Sequence, residues 1–139
     1  MYYEEEIIDG VLCYRYGPNA EFKLIVAGGR DFRDYALLSN ELNRLVHNDL
    51  AIYSVSIVSG MAPGADTLAV RYAKEHGMKL YGFYANWDKY KRAAGPIRNN
   101  EMAKVGDGLI VFWDGQSSGT KHMLETMRKQ KKPVRVVRY

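Results

Sequence analysis

The ten residues FKLIVAGGRD (22–31) decide how the rest of the chain is interpreted. The apolar run Lys23 to Ala27 is typical of a strand that is covered on both faces of a sheet. It leads directly into Gly28 and Gly29, which let the backbone approach a ligand closely, and into Arg30, whose planar guanidinium matches a phosphate. The stretch predicts a central strand that ends in a binding loop. A purely structural turn, closed by an ion pair between Arg30 and the next residue, is equally compatible with it.

The same rhythm of strand, loop and helix continues to the end of the chain. Further short apolar runs predict strands at Ser56–Ser59, Leu80–Tyr84, Leu109–Trp113 and Val134–Val137. Four helical patterns lie between the strands. The first has an apolar stripe from Leu38 to Val46 behind a cap at Asp34, and the second runs from Ala65 to His76 before Gly77. The third opens at Pro96, and the fourth runs from Gly119 or Thr120 to Lys131. The alternation predicts an α/β fold, a Rossmann-like three-layer sandwich with a mostly parallel sheet of about five strands.

The first 21 residues follow a different pattern. Two short strands are predicted between Glu4 and Tyr16 around Asp9-Gly10, a dipeptide that supplies the positive φ angles of a tight hairpin. Gly17-Pro18-Asn19 then interrupts the chain. We predict an N-terminal β-hairpin appendage over residues 1–21 and one Rossmann-like domain over residues 22–139. The bare edge of the hairpin suits pairing with another subunit, so a homo-oligomer is expected.

Composition limits the location and the chemistry. Cys13 is the single cysteine in 139 residues, which excludes an internal disulfide and favours a reducing compartment. The acidic, tyrosine-rich N-terminus does not resemble a signal peptide, and no apolar run is long enough to span a bilayer. We therefore predict a cytoplasmic protein without a membrane partner. His47, His76 and His122 lack the spacing of metal ligands, so no metal site is expected and each histidine is predicted to be exposed or capping.

The formal net charge of +4 permits anionic partners. The basic residues concentrate near the C-terminus. They complement the dipole at a helix end or contact a phosphate or nucleic acid, and both interpretations stay open. The residues concerned are Lys121, Arg128, Lys129, Lys131, Lys132, Arg135 and Arg138.

The second strand-end loop, SGMAPGAD (59–66), resembles a phosphate cradle. Ser59 and Gly60 leave the strand, and Gly64 and Ala65 feed directly into a helix whose first N–H groups attract an anion. The loop matches neither the Walker A pattern nor the dinucleotide pattern GxGxxG. Asp66 repels phosphate at close range, so it is expected either to cap the helix or to bind sugar hydroxyls.

The third loop runs from Ala85 into the next helix. Trp87 either stacks on a base or anchors the loop to the domain. Arg98 and Asn99 fall in the first turn of the helix, where they suit phosphate binding. Glu101 lies one turn further on, and pairing with Arg98 along the helix is the favoured interpretation of it.

The fourth loop ends in Ser118, Gly119 and Thr120 at the start of a helix. These residues offer backbone N–H and hydroxyl donors to a phosphate. Because parallel strands end at one edge of a sheet, all four loops are expected to converge there. The convergence predicts a site for a nucleotide or nucleotide-derived ligand, with no other cofactor required.

Five ordered motifs together resemble the YspA-like branch of the SLOG superfamily, which groups the LOG and Smf/DprA Rossmann-like proteins. The motifs are Gly28-Gly29-Arg30-Asp31-Phe32, Ser59-Gly60 with Gly64-Ala65-Asp66, Asn86-Trp87, Ala94-Gly95-Pro96 with Arg98-Asn99 and Met102, and Ser118-Gly119-Thr120. The resemblance covers about Lys23 to Val137. It implies a domain that binds nucleotides or nucleotide-derived ligands and, in some members, senses or processes them.

The resemblance also bears on catalysis. LOG enzymes cleave the N-glycosidic bond of nucleoside monophosphates and carry PGGxGTxxE, in which the glutamate is catalytic. Here Gly119-Thr120 is kept, the PGG is absent, and the glutamate position is Met123. A methionine cannot protonate a leaving base. Hydrolysis would need another carboxylate, and the candidates are Glu101, Asp66 and Asp31.

The leading hypothesis is a binding module for an ADP-ribose-like or cyclic nucleotide species, used for sensing or sequestration. A nucleotide N-glycosidase is the first alternative. Binding of single-stranded nucleic acid is the second, based on the DprA kinship and the basic C-terminal residues.

Overall fold

The structure is a computed structural model that describes residues 3–16 and 20–139. In these residues the strands and helices alternate after residue 20, as predicted. A one-turn π-helix, Leu45–Asp49, and a 3₁₀ turn, Lys91–Ala93, extend two of the helical regions. The elements in chain order are β1 (Tyr3–Ile8), β2 (Val11–Tyr16), β3 (Glu21–Gly28), α1 (Tyr35–Arg44), β4 (Ser54–Ser59), α2 (Ala65–Glu75), β5 (Leu80–Gly82), α3 (Trp87–Tyr90), α4 (Ala94–Val105), β6 (Gly108–Trp113), α5 (Ser118–Lys129) and β7 (Val134–Arg138).

Five strands form one parallel sheet in the order β5-β4-β3-β6-β7. The central strand β3 pairs with β4 on one side and with β6 on the other. Each parallel pairing requires a crossover, and helices supply them. The predicted fold class, a Rossmann-like α/β sandwich with a sheet of five strands, is confirmed.

The alternating side chains of β3 divide the core into two layers. Leu24 and Val26 pack on the face covered by α1 and α2. Ile25 and Ala27 pack on the opposite face, against α4 and α5. Because successive residues of a strand point to opposite faces, the apolar run 23–27 needs cover on both sides.

The strand order also places a crevice at the carboxyl edge of the sheet. The chain passes from β3 to β4 on one side and later returns to β6 on the other side of β3. The helices that follow β3 and β6 therefore leave toward opposite faces, and a gap opens between their starts. All four predicted binding loops belong to this edge.

Several local bounds differ from the predictions. The strand β5 ends at Gly82 instead of Tyr84, and α5 runs from Ser118 to Lys129 instead of ending near Lys131. The helix predicted to open at Pro96 begins at Ala94, so that the proline is its third residue. The N–H groups of a first helical turn have no partner within the helix, and a proline is tolerated there. A separate short helix, α3, lies within the predicted loop and is capped by Asn86, whose side chain accepts from the Lys89 N–H at 3.1 Å.

The strands β1 and β2 pair antiparallel as a separate two-stranded sheet, with positive φ angles at Asp9 and Gly10. The predicted chain break at Gly17-Pro18-Asn19 lies outside the described residues. The domain division at residue 21 and self-association stay predictions. Within residues 3–16 and 20–139, no helix combines the length and the apolar character needed to cross a bilayer.

A close approach of backbone at Gly64 joins the first two binding loops. Gly64 has a φ of +85°, and the carbonyl of Gly29 accepts the Ala65 N–H at 3.2 Å. A Cβ at Gly64 would collide with the Gly29 carbonyl and lie 2.7 Å from the Arg30 Cα. Only glycine satisfies both the backbone angle and the contact.

We expect Gly64→Ala to lower the free energy of unfolding by about 3–5 kcal/mol, because it adds backbone strain and a collision. The matched control is Gly77→Ala, since Gly77 has a φ of +62° and open space at the Cβ position. The control measures the cost of a positive φ without a collision, about 1–2 kcal/mol. Urea unfolding at constant m-value measures both. Equal losses in the two variants would show that the close approach is not a constraint.

Candidate functional site

A cleft of about 620 Å³ opens at the carboxyl edge of the sheet, between the starts of α2, α4 and α5. All four predicted loops contribute to its lining. The predicted residues that line it are Gly28, Gly29, Arg30, Asp31, Asp66, Trp87, Arg98, Asn99, Ser118, Gly119 and Thr120. Residues that are up to 92 positions apart in sequence therefore share one cavity, as the convergence argument predicts.

Four predicted ligand-binding residues lie behind the lining and support it. The Ser59 hydroxyl donates to the Asp66 carbonyl at 3.0 Å and accepts the Met61 N–H at 3.1 Å. Gly60 lies beside Asp66 and Arg98, while Gly64 and Ala65 hold the second loop against the first. These residues shape the cleft without lining it.

Glu101 is exposed and is not among the lining residues. The predicted helix-face pair between Arg98 and Glu101 is replaced by other contacts. Arg98 Nη1 donates to the Gly60 carbonyl at 2.7 Å, and Nε donates to Asn99 Oδ1 at 3.2 Å. The arginine is directed toward the strand-end loop.

Sequence reasoning did not include several lining residues among the site candidates. Ala62, Gly95, Pro96, Asp114 and Ser117 belong to the same loops, so their position after a strand was the available signal. His122 lies one turn after Ser118 on the same face of α5, and Met102 lies one turn after Arg98. Helical spacing from a predicted site residue would have found both. Arg92, Ala27 and Met123 complete the lining.

Asn99 joins α4 to α5 at the base of the cleft. Its side chain is buried, at 5% exposure, and its amide nitrogen lies 3.3 Å from the Gly119 carbonyl and 3.1 Å from His122 Nδ1. Its amide oxygen accepts from Arg98. One buried amide thus orients an arginine, a histidine and the start of a helix.

Asp66 is a buried carboxylate in the cleft, with 6% of the residue exposed. Burial raises the pKa of Asp66 to about 6, and it outweighs the Ala62 N–H and the charges of Arg98 and Arg30, which lower that pKa. Burial likewise lowers the pKa of Arg98, against the opposing effect of Asp66. The cleft therefore holds charges of both signs in a partly dehydrated setting.

The start of α5 is arranged as an anion site. Asp114 Oδ1 accepts the N–H groups of Gln116 and Ser117, both at 2.8 Å, which orders the loop and lowers the pKa of Asp114. No side-chain cap covers the helix start at Ser117. In the described part of the chain, the N–H groups of residues 118–120 have no hydrogen-bond partner. Three donors and the positive end of a helix dipole face the cleft.

Trp87 forms one wall of the cleft. Its side chain is 47% exposed, and the Arg30 guanidinium lies 5.6 Å from the ring centroid. The far edge of the indole packs near Gly95, 3.4 Å from where a Cβ would lie. The ring is anchored at one edge and leaves much of its surface to solvent.

Asp31 at the rim has a partner that the sequence did not indicate. The Tyr139 hydroxyl donates to Asp31 Oδ1 at 2.6 Å. Burial, followed by the hydrogen bond to Asp31, raises the pKa of Tyr139. The last residue of the chain thereby positions the loop that follows β3.

The fold and the cleft define the class of protein. It is a Rossmann-like α/β domain with a polar site at the edge of the sheet, between the starts of helices. The chain belongs to the YspA, cpYpsA-related SLOG family, whose model matches residues 22–90. The Gene 61 protein of Mycobacterium phage D29 is 32% identical over 120 residues, which are 81% of this chain and 93% of that protein.

Two solved structures share the fold. DNA processing protein A (DprA) from Streptococcus pneumoniae superposes with a TM-score of 0.65 at 22% identity, over 83% of this chain and 50% of that one. DprA from Helicobacter pylori, described for its single-stranded DNA binding mode, has a TM-score of 0.55 at 19% identity, over 83% of this chain and 64% of that one. The chain therefore spans about half to two-thirds of the DprA chains.

We expect Asp66→Asn to change how stability depends on pH. The folded pKa, about 6, lies above the ordinary 3.8, so the folded state holds this proton more tightly than the unfolded state. The stability that the Asp66 carboxyl contributes is complete below its ordinary pKa and is lost as the pH rises through its folded pKa. Relative to the variant, the free energy of unfolding of the wild type should fall by about 3 kcal/mol between about pH 4 and pH 8, since one pKa unit corresponds to about 1.4 kcal/mol.

The measurement is urea unfolding of both proteins across this pH range. The control is Glu101→Gln, which makes the same carboxyl-to-amide change on an exposed side chain outside the cleft lining. Parallel profiles for wild type and Asp66→Asn would contradict the expectation.

Proposed function

We propose that the cleft binds a nucleotide or nucleotide-derived small molecule, such as an ADP-ribose-like or cyclic nucleotide species, for sensing or sequestration. The observation that carries the proposal is the first turn of α5, where the N–H groups of Ser118, Gly119 and Thr120 line the cleft and have no partner among the described residues. Such a turn is a ready anion site, and phosphate is the anion that nucleotides supply.

Arginine side chains strengthen the preference of the cleft for anionic ligands. Arg30, Arg92 and Arg98 all line it. Of the three lining aspartates, Asp31 and Asp114 are engaged by Tyr139 and by loop N–H groups. The volume of about 620 Å³ falls within the range of small-molecule sites, roughly 300–1,000 Å³.

The position of Trp87 favours a ligand that contains a base. A half-exposed indole at the cleft wall offers a flat apolar surface on which a planar ring stacks. The Arg30 guanidinium lies 5.6 Å from the ring centroid, so a flat cationic group already contacts the indole. A base on Trp87 and a phosphate at α5 together describe a nucleotide.

The geometry favours binding over hydrolysis by the LOG route. Met123, at the position that matches the catalytic glutamate, lines the cleft and is 1% exposed. The side chain at this position has no proton to give to a leaving base. Glu101 lies outside the lining, which leaves Asp66 and Asp31 as the candidate carboxylates for the N-glycosidase alternative.

Single-stranded nucleic acid is the second candidate partner. The fold is shared with the Helicobacter pylori DprA that binds single-stranded DNA, and exposed aromatic side chains, Tyr84 and Tyr90, flank the region of Trp87. Stacking aromatics beside cations suit a strand of bases.

We expect Ser118→Pro to weaken binding of AMP, ADP-ribose or cyclic AMP by roughly tenfold to a hundredfold, because it removes one N–H donor to a charged group. The fold should tolerate the change, since Ser118 is exposed and begins the helix, and Ser117 has the extended backbone (φ −55°, ψ 119°) that precedes proline well.

The matched control is Ser118→Ala, which removes only the hydroxyl and keeps the N–H. Calorimetric titration of the three proteins gives the affinities, and thermal unfolding checks the fold. Equal affinity in the proline and alanine variants would remove the first turn of α5 from the binding site.

Salt dependence separates the two partners. A single-stranded oligonucleotide neutralised by several cations should lose affinity with a log–log slope of about −0.7 per phosphate contact. A small nucleotide at an enclosed site should respond far less. Titrating oligo-dT and AMP at several salt concentrations measures both. A steep slope for oligo-dT together with no AMP binding would favour nucleic acid as the partner.

A further inference from the structure

We propose that Asp66 accepts a hydrogen bond from a ribose hydroxyl, so that the cleft selects ribonucleotides over deoxyribonucleotides. The inference rests on the proposed function and adds the class of sugar. It starts from Asp66, the one carboxylate of residues 20–139 that is buried and lines the cleft.

One oxygen of Asp66 is engaged and the other is open. Oδ2 accepts the Ala62 N–H at 3.3 Å, whereas Oδ1 has no hydrogen-bond partner in residues 20–139. The described residues contain no fully buried side-chain oxygen or nitrogen without a partner, so Oδ1 keeps some accessible surface, on a residue that lines the cleft. A carboxylate oxygen in a nearly dehydrated position strongly prefers a donor.

The neighbouring arginines do not supply that donor. A Cβ at Gly60 would lie 2.8 Å from Asp66 Oδ2 and 2.9 Å from Arg98 Nη1, so both groups border the space that the glycine leaves open. The same Arg98 nitrogen already donates to the Gly60 carbonyl. Arg98 and Arg30 favour the ionised carboxylate from a distance and leave Oδ1 free to accept.

The donor must then come from the ligand. A phosphate has none to offer and is repelled by the carboxylate, and the start of α5 provides a separate place for it. The base has its own surface on Trp87. The sugar links the base to the phosphate and carries hydroxyl donors, and a carboxylate is a common acceptor for them.

The consequence is a preference that depends on the hydroxyl. A ligand without it leaves Oδ1 buried beneath the ligand and unpaired, which costs more than the bond alone. We expect the deoxy form to bind at least about tenfold more weakly at pH 7.5.

The experiment is calorimetric titration of the full chain with AMP, 2′-deoxy-AMP and 3′-deoxy-AMP. The wild type should bind AMP at least about tenfold more tightly than one of the deoxy compounds, which identifies the hydroxyl. Asp66→Asn should bring the affinities to within about threefold of one another, since a neutral amide accepts more weakly. Glu101→Gln should keep the wild-type preference.

The outcomes separate the inference from the proposed function. Equal affinity of the wild type for all three compounds would overturn the ribose contact and leave nucleotide binding standing. If Asp66→Asn kept the full preference for AMP over the deoxy compounds, the ribose contact would also be overturned. Failure of all three to bind at millimolar concentration would overturn both. Should the variant not fold, the wild-type comparison alone decides.

Discussion

The pairing of β3 between β4 and β6 is the constraint on which the rest of the structure depends. The strand is apolar on both faces, so it is stable only with helices on each side of the sheet. Parallel neighbours on both edges require crossovers that diverge at β3. The cleft is the space left by that divergence, and its polar lining follows from the loops that must end there.

Within the cleft, opposite charges are kept close without being paired directly. The Asp66 carboxylate and the Arg98 guanidinium both lie beside Gly60, and the arginine donates to the Gly60 carbonyl. Burial penalises both charged groups while each favours the charge of the other. A site built in this way keeps unused hydrogen-bonding capacity for a ligand, which a closed ion pair would have consumed.

Most of the binding loops could be predicted because each follows a recognisable strand. The position of Arg30 after β3, or of Ser118 at a helix start, needs only local pattern and the rule that parallel strands end together. The contact between Tyr139 and Asp31 could not be predicted, since it joins side chains 108 positions apart through the pairing of β6 with β7. The direction of Arg98 was also misjudged, because helix spacing offered a nearer partner than the one that tertiary packing supplies.

The sequence by itself determined the fold class, the family, the order of the elements and the loops that form the cleft. These properties follow from short-range regularities, namely apolar runs, glycine positions and helix starts. The tertiary structure alone decided which side chains line the cleft and which support it from behind, as Asp66 and Ser59 illustrate. Burial and electrostatic environment depend on groups distant along the chain, and the pKa of Asp66 is set first by burial in the folded domain.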